Sequence, residues 1–237
     1  MADTRLFPAL AFGALIAVGL TAAGALVGQG LVNARVGDRA VTVRGLAERE
    51  VKADLAVLPL SFAASGDDLT AVQAQIDADT AAVRTFLLQQ GFPAESIELG
   101  VFNVVDHQAQ EYQQQTYATR FIVTQTVSVR SADVDRVQAA VRELNTLVRQ
   151  GVILQQYSPA YLFKGLNAVR PAMIAEATAA ARTGATKFAA DSGSALGPIR
   201  SATQGSFEIL PRDEVGDETA QIYKRVRVVT TVSYGLR

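Results

Sequence analysis

The sequence predicts an α+β protein in which an N-terminal transmembrane helix precedes a domain built from two duplicated strand–helix–strand–strand units with antiparallel sheets. Three observations lead to this prediction. Residues 6–32 carry no charge and are mostly apolar, residues 164–197 have an alanine-rich helical pattern, and an earlier stretch repeats the landmarks of that pattern. The chain therefore divides into an anchor with its linker, residues 1–39, and a folded domain, residues 40–237.

The uncharged run is long enough to cross a bilayer, because a helix needs roughly 20 apolar residues to span a hydrocarbon layer ~30 Å thick. A cleavable signal peptide is the alternative, since residues 23–25 (Ala-Gly-Ala) have the small-x-small form of a cleavage site. The apolar region of a signal peptide is usually about 7–15 residues, so the length favours an uncleaved anchor. Gly24 and Gly28 have the GxxxG spacing that brings transmembrane helices together, although glycine and alanine are common throughout this segment.

The charges beside the predicted span bear on its orientation in the membrane. Only Arg5 precedes the run, whereas Arg35, Arg39 and Arg44 follow it. Because positively charged residues are enriched on the cytoplasmic side of membrane proteins, this distribution alone would leave the C-terminal domain in the cytoplasm.

The alanine-rich pattern is typical of a helix whose buried side consists of small residues. Apolar and small positions recur every three or four residues, which predicts an amphipathic helix. Small side chains allow such a helix to lie close to a strand or to another helix. Gly193 is expected to end it in the left-handed C′ conformation. The predicted stripe contains Leu166, Val169, Met173, Ala177, Ala180, Gly184 and Phe188.

An earlier part of the chain carries landmarks with the same spacing. In each copy an aromatic ends a helix, a glycine caps it and an isoleucine opens the next strand. Repeats should be sought before other patterns, and matches in the same order predict units near 51–130 and 152–236, joined by a helix at 132–149. The matched residues are Phe86, Gly91, Ile97, Arg120 and Thr126-Val127-Ser128 in the first unit, and Phe188, Gly193, Ile199, Arg225 and Thr231-Val232-Ser233 in the second.

Alternation, turn residues and caps predict the other elements. Pro59 indicates an edge or a bulge in its strand, and Asp67 and Ser131 are the expected N-caps of two helices. From residue 51 to 163 the order is βαββαβ, as in a ferredoxin-like split βαβ. The predicted strands are 41–43, 51–62, 97–107, 116–130, 152–163 with an interruption at Ser158-Pro159, 198–210 and 221–234.

Composition restricts the classes of function. The 237 residues have a formal net charge of −1, which gives no electrostatic reason to expect a nucleic acid partner. The chain contains no cysteine, which excludes disulfides, thiolate zinc sites and cysteine nucleophiles.

No motif in the sequence predicts catalysis, a cofactor or a metal. His107 is the only histidine, and Asp106 beside it should point to the opposite face of its strand, so an exposed histidine at a strand end is expected. The acidic loop with Asp213, Glu214, Asp217 and Glu218 lacks the regular spacing of a calcium loop, so its carboxylates are expected to be solvated. The glycines at 193–197 follow a helix instead of opening one, so they do not form a phosphate cradle. The expected protein is therefore not an enzyme.

Two strands leave polar faces that are candidates for contacts between subunits. In the strands 116–130 and 221–234, one alternating set is apolar and the other carries arginine, threonine and serine. Ordinary solvent exposure is the simpler interpretation. Arginine is also enriched in interfaces, and threonine suits strands, so a possible assembly surface is Arg120, Thr124, Thr126, Arg225, Arg227 and Thr231.

Short motifs in the folded domain have the spacing of a known family. They are Val41-x-Val43-x-Gly45, the pair Ala53-Asp54, and a run with Ala181-Arg182, Ala185, Ala189, Gly193 and Leu196-Gly197. In these motifs the domain resembles the SIMPL-domain family of bacterial envelope proteins. The first is similar to the family's opening strand, and the run is similar to its most recognisable stretch. Asp54 stands where the family often has Pro-Asp, with Ala53 in place of the proline, and Ala47 departs from a second glycine that is often present.

The resemblance implies an α/β domain exported across the inner membrane, ring-like or cage-like self-assembly in some members, and a link to envelope or oxidative stress. It implies no catalytic residues. We therefore expect a single-pass inner-membrane protein with a periplasmic domain that forms a homo-oligomer, or a soluble periplasmic protein if the N-terminal segment is cleaved. The alternative function is a small-ligand-binding module with a cleft between its two repeats.

Overall fold

The computed structural model describes residues 6–37, 39–109 and 118–237. Its elements form an α+β protein with two sheets, as predicted. Arg5 and residues 116–117 of the predicted strand 116–130 lie outside the described residues. The elements are α1 Leu6–Gly37, β1 Ala40–Lys52, β2 Leu55–Gly66, α2 Leu69–Gln89, β3 Ile97–Asp106, β4 Phe121–Ser131, α3 Val134–Arg142, α4 Asn145–Arg149, β5 Leu154–Gln156, β6 Ala160–Leu162, α5 Leu166–Asp191, β7 Leu196–Pro211 and β8 Tyr223–Leu236.

The N-terminal segment forms one helix, α1, of 32 residues. Several of its large apolar side chains are exposed, including those of Leu15, Val18 and Leu26. A search of the described part of the chain finds no helix with the combination of length and apolarity needed to cross a membrane. A side chain added at Gly24 or Gly28 would meet no atom within 4 Å. The span over 6–32 and its packing glycines stay predictions.

The chain separates into two compact units. Unit 1 comprises residues 1–47, 172–206 and 228–237, and unit 2 comprises residues 48–171 and 207–227. The long elements β1, β7, β8 and α5 contribute residues to both.

Unit 2 contains a five-stranded sheet with strand order β3-β4-β2-β5, and β6 also pairs with β2. The ladders of β2 with β4, β5 and β6 and of β3 with β4 are antiparallel. From β2 to β5 the order is βαββαβ, which agrees with the predicted ferredoxin-like arrangement. The buried side chains of β2 and β4 pack against those of α2, α3 and α4. The largest of them are Phe62, Leu58, Leu60, Ile76, Leu87 and Leu147.

Pro59 lies where β2 loses one of its neighbours. Residues 55–57 pair with β6 and residues 61–62 pair with β5, so no pairing is needed on that side between them. Because proline has no N–H to donate, this gap lets it occupy a central strand. The interruption predicted at Ser158-Pro159 separates β5 from β6 and produces the gap.

The second sheet has the order β1-β8-β7. In unit 1, Val41 of β1 and Val232 of β8 pack against Ala181 and Ala185 of α5. β1 is longer than the predicted strand 41–43 and ends beside Asp54. The carboxylate of Asp54 accepts hydrogen bonds from the backbone N–H groups of Lys164 and Gly165, at 2.8 and 2.7 Å, immediately before α5 begins. It thus satisfies donors at the start of a helix more than 100 residues away in sequence.

The buried stripe of α5 differs from the predicted one. Every fourth residue is buried, namely Met173, Ala177, Ala181, Ala185 and Ala189. Ala180, Gly184 and Phe188 are exposed, so assigning them to the core was wrong. The helix lies so close to β1 that only methyl-sized side chains fit over most of the contact, and a phenylalanine ring at position 188 is kept outside.

The two proposed repeats agree at their helix ends and differ elsewhere. Gly91 and Gly193 both have positive φ, and the residue after each donates to a carbonyl five residues back, as in a Schellman cap. However, the side chain of Phe86 is 4% exposed whereas that of Phe188 is 52% exposed. The equivalence of the two aromatics is therefore wrong in burial.

Strand pairing also separates the two halves. In the first half, β2, β3 and β4 form one sheet. In the second half, the predicted first strand consists of β5 and β6, and both pair with β2 instead of β8. β1 takes the place beside β8. The orders β2-β4-β3 and β1-β8-β7 correspond. The predicted units 51–130 and 152–236 do not match these sheets, because β1 precedes the first predicted unit. Duplication of the whole unit stays a prediction.

Two helix caps differ from the predicted ones, and one predicted helix is divided. The cap of α2 is Asp68, which accepts from Thr70 N at 2.9 Å. The cap of α3 is Asp133, which accepts from Arg136 N at 3.0 Å. The predicted helix 132–149 consists of α3 and the short α4.

The difference between the two aromatics can be measured. We expect Phe86→Ala to lower the free energy of unfolding by ~3–5 kcal/mol, because it removes a buried ring from the core of unit 2. Phe188→Ala should change it by no more than about 0.5 kcal/mol, as is usual at exposed sites. Chemical denaturation of both variants tests this, and equal losses would contradict the exposed position of Phe188.

Candidate functional site

The polar face of β4 is where the sequence placed it. Thr124 and Thr126 are half-buried and alternate with the buried Val123 and Val127. Across the ladder, Thr126 lies opposite Ser61 and Thr124 opposite Ala63. The face is therefore a shallow polar surface on the side of the sheet away from the core.

Gln125 is the buried polar residue of this strand that the sequence reading missed. Its side-chain amide donates to the carbonyl oxygen of Thr126 at 2.8 Å and lies beside the carbonyls of Gly100 and Val101. There the register between β3 and β4 shifts, between Leu99 and Phe102. The Gln125 amide thus supplies a donor to carbonyl groups where the strand pairing is irregular. In the sequence, only strand alternation indicated that Gln125 would be buried.

Arg120 lies just before β4 and does not project freely. Its guanidinium pairs with the Asp106 carboxylate, with 2.9 Å between Nη2 and Oδ2, and lies over the Phe121 ring at 4.6 Å from its centre. The hydrogen bond from the Arg120 side chain is the main cause that holds the pKa of Asp106 below its usual value. Burial opposes this effect, and a hydrogen bond from the Gln108 backbone adds to it.

Arg225 and Arg227 of β8 are also paired within the chain. The Arg225 guanidinium lies 2.6 Å from a Glu214 carboxylate oxygen and donates to the Arg212 carbonyl at 2.6 Å. Arg227 Nε lies 3.7 Å from a Glu48 carboxylate oxygen. Thr231 is half-buried farther along the same strand alternation. The predicted surface residues thus lie on β4 and β8, except Arg120, which precedes β4, and all three arginines have carboxylate partners.

Lys224 is the most deeply placed charge that sequence reading did not identify. Its side chain is fully buried, and Nζ lies 2.8 Å from a Glu218 carboxylate oxygen and also donates to the Glu218 carbonyl. The alternation that directs Val226 and Val228 inward also directs Lys224 inward. That alternation was the signal that could have found it.

The acidic loop between β7 and β8 is held by polar side chains of its own unit. Glu214 and Glu218 pair with Arg225 and Lys224 as described. The Gln221 side chain accepts from Arg212 N at 2.9 Å and donates to the Val215 carbonyl at 3.0 Å. The Thr219 backbone hydrogen bond lowers the pKa of Asp217. Two of the four carboxylates are therefore ion-paired, instead of being only solvated as predicted.

His107 follows the end of β3 and is half-buried, whereas an exposed side chain was expected. Its backbone N–H donates to the Arg120 carbonyl at 2.8 Å. Asp106 beside it is engaged by Arg120. Over the described residues, no group of three or more histidine, aspartate or glutamate side chains is arranged to hold a metal ion.

The comparison with protein families assigns this chain to a family. The family model described as SIMPL, protein of unknown function (DUF541), matches residues 41–233. The chain belongs to the SIMPL family. A comparison with curated proteins finds no match. Within this SIMPL domain, residues that carried the resemblance have structural roles: Asp54 binds the start of α5, Gly45 lies against α5, and Ala181, Ala185 and Ala189 form its buried stripe.

Proposed function

We propose that this SIMPL protein is a non-enzymatic, membrane-anchored periplasmic protein that assembles with copies of itself and serves envelope or stress physiology. The observation that carries the proposal is the N-terminal helix. It contains the uncharged run 6–32, and the large apolar side chains of its described central part are exposed. Exposed apolar surface of this extent marks a contact with a membrane or with protein.

The proposed topology has residues 6–32 in the inner membrane and the SIMPL domain in the periplasm. The length of the run supports the span, and the family resemblance supports the side, against the arginine count. Alkaline phosphatase fused after Arg237 should be active in cells, because this enzyme needs an oxidising compartment for its disulfides. A cytoplasmic reporter at the same position should be inactive, and the reverse pattern would overturn the orientation.

Self-association is the second part of the proposal. An anchor confines copies to one plane and raises their effective concentration, so a weak lateral contact becomes populated. The surfaces we propose for that contact are the polar face of β4 with Thr126 and the adjacent Arg120, and the polar face of β8 with Arg225. Polar surfaces of this kind suit wet interfaces in which arginine is enriched.

Charge reversal tests the surface. We expect Arg120→Glu combined with Arg225→Glu to lower the oligomer mass, measured by light scattering, while the circular dichroism stays native. These changes also place like charges beside Asp106 and Glu214. The control therefore combines each reversal with reversal of its partner, Arg120→Glu with Asp106→Arg and Arg225→Glu with Glu214→Arg. It restores both internal ion pairs and leaves the surface charge pattern altered.

The control variant should also lose mass if the surface makes the contact. If it assembles like wild type, the first effect came from the broken internal pairs and the assignment to this surface is wrong. A wild-type protein that is monomeric at high concentration, both with and without residues 1–39, would contradict self-assembly itself.

A further inference from the structure

Unit 1 contains a cavity that none of the preceding functions uses. It has a volume of about 380 Å³ and lies between α5, the start of β7 and the end of β8. This volume is within the 300–1,000 Å³ range of small-molecule sites. The cavity is contained in one unit, so it differs from the cleft between repeats that the sequence suggested. Its lining consists of Thr178, Arg182, Thr186, residues 196–199 and Tyr234.

A buried hydroxyl on this lining has no partner. The Tyr234 side chain is 3% exposed, and its hydroxyl group forms no hydrogen bond with any described residue. Tyrosine hydroxyls usually find a partner when they are buried, because a buried polar group without one destabilises the fold. Phenylalanine would pack with the same ring and without this cost. The hydroxyl is therefore available to bond to a molecule that enters the cavity.

A cation without a counter-ion lines the same cavity. Across the residues that the structure describes, no carboxylate pairs with the Arg182 guanidinium. This contrasts with Arg120, Arg225 and Arg227, each of which has one. A guanidinium offers several N–H donors in a planar fork that matches a carboxylate. The threonines at 178 and 186 lie one helical turn to either side of Arg182, so the polar groups of α5 form one row.

The opposite part of the lining is apolar. Leu196, Pro198 and Ile199 from the start of β7 line the cavity together with the Tyr234 ring. A ligand suited to this arrangement has an anionic head and a short apolar body.

We propose that this cavity is a binding site for a small amphipathic carboxylate, with the carboxylate on Arg182 and the Tyr234 hydroxyl and the apolar chain against residues 196–199. Arg182 supplies charge-assisted hydrogen bonds, and the tyrosine hydroxyl gains the partner that it lacks. The site is independent of membrane anchoring and of self-association.

Hexanoate is a suitable probe, because it has one carboxylate and a five-carbon chain. Titrated into the isotope-labelled full-length protein, it should shift amide signals of residues around the cavity in a saturable way. Hexanol, which lacks the charge, and inorganic phosphate, which lacks the chain, should each bind at least ~10-fold more weakly.

Two variants distinguish binding from packing. Arg182→Gln should weaken hexanoate at least ~10-fold, whereas Lys187→Gln, which removes the same charge from an exposed position of α5, should not change the affinity. Tyr234→Phe should also weaken binding while the thermal midpoint stays the same or rises. A purely structural tyrosine would change the midpoint without changing the affinity.

Three results would overturn the proposal. The first is the absence of saturable hexanoate binding. The second is binding that neither Arg182→Gln nor Tyr234→Phe weakens. The third is phosphate or hexanol binding as tightly as hexanoate, because the site would then recognise only a charge or only a chain.

Discussion

Replacing Gly45 by alanine should destabilise the protein by about 3 kcal/mol or more, the upper end of the usual cost of overpacking. A Cβ at this position of β1 would lie 2.5 Å from the amide nitrogen of Ala181 and closer still to the carbonyl oxygen of Ala177. Both are backbone atoms of α5, so no rotamer change can relieve the clash. Strand and helix would have to separate, and with them the core of unit 1 around Val41 and Val232.

Gly184→Ala is the matched control for this substitution. Gly184 is an exposed residue in the interior of the same helix, and a Cβ there would meet no atom within 4 Å. Glycine costs roughly 0.5–1 kcal/mol relative to alanine inside a helix, so this variant should be slightly more stable than wild type. Denaturant midpoints compare the two, and a Gly45→Ala protein with the wild-type midpoint would show that the close approach does not exist.

Replacing Glu218 by alanine should lower the free energy of unfolding by about 3 kcal/mol. Lys224 is fully buried, and without the Glu218 carboxylate its ammonium group keeps only a backbone carbonyl as acceptor. Removing one partner of a buried pair usually costs ~3–5 kcal/mol, since the other charge is left uncompensated. We expect the low end, because the Glu218 side chain is itself 29% exposed.

Lys224→Met should have a much smaller effect, although it removes the same ion pair. Methionine is of similar length and carries no charge that must be buried. The Glu218 carboxylate left behind can be hydrated, and replacing a buried ion pair by apolar residues is often neutral or stabilising. Urea denaturation of Glu218→Ala, Lys224→Met and the double variant measures the asymmetry. Equal losses of unfolding free energy in the two single variants would indicate that water reaches the Lys224 ammonium group.

Local patterns in the sequence predicted much of the fold. Alternation found the buried and half-buried faces of β4 and β8, because successive strand residues point to opposite sides whatever lies next to them. The glycines at 91 and 193 were recognisable as helix ends, because few other residues adopt positive φ without strain. The break between β5 and β6 followed from Pro159. Each of these features depends on residues close together in the chain.

The candidate surfaces were found only in outline. Alternation correctly placed Thr124 and Thr126 on the outer face, but it could not show that Arg120 pairs with Asp106 or Arg225 with Glu214. These partners come from strand pairing and from the conformation of a loop. The cavity beside Tyr234 could not be predicted either, because its lining comes from α5, β7 and β8, and no local sequence pattern shows that these elements are neighbours.

The sequence by itself determined the α+β class, the family, the helix-ending glycines and the inward and outward residues of the main strands, since chain geometry imposes these over a few residues. Only the tertiary structure decided that β1 joins β8, that Asp54 binds the start of α5, that Phe188 is exposed and that Lys224 is buried with Glu218. The physical reason is that a helical or strand period shows which residues share a face. What covers that face depends on how closely two backbones can approach and which polar groups must find partners, and both are set by residues distant in the chain.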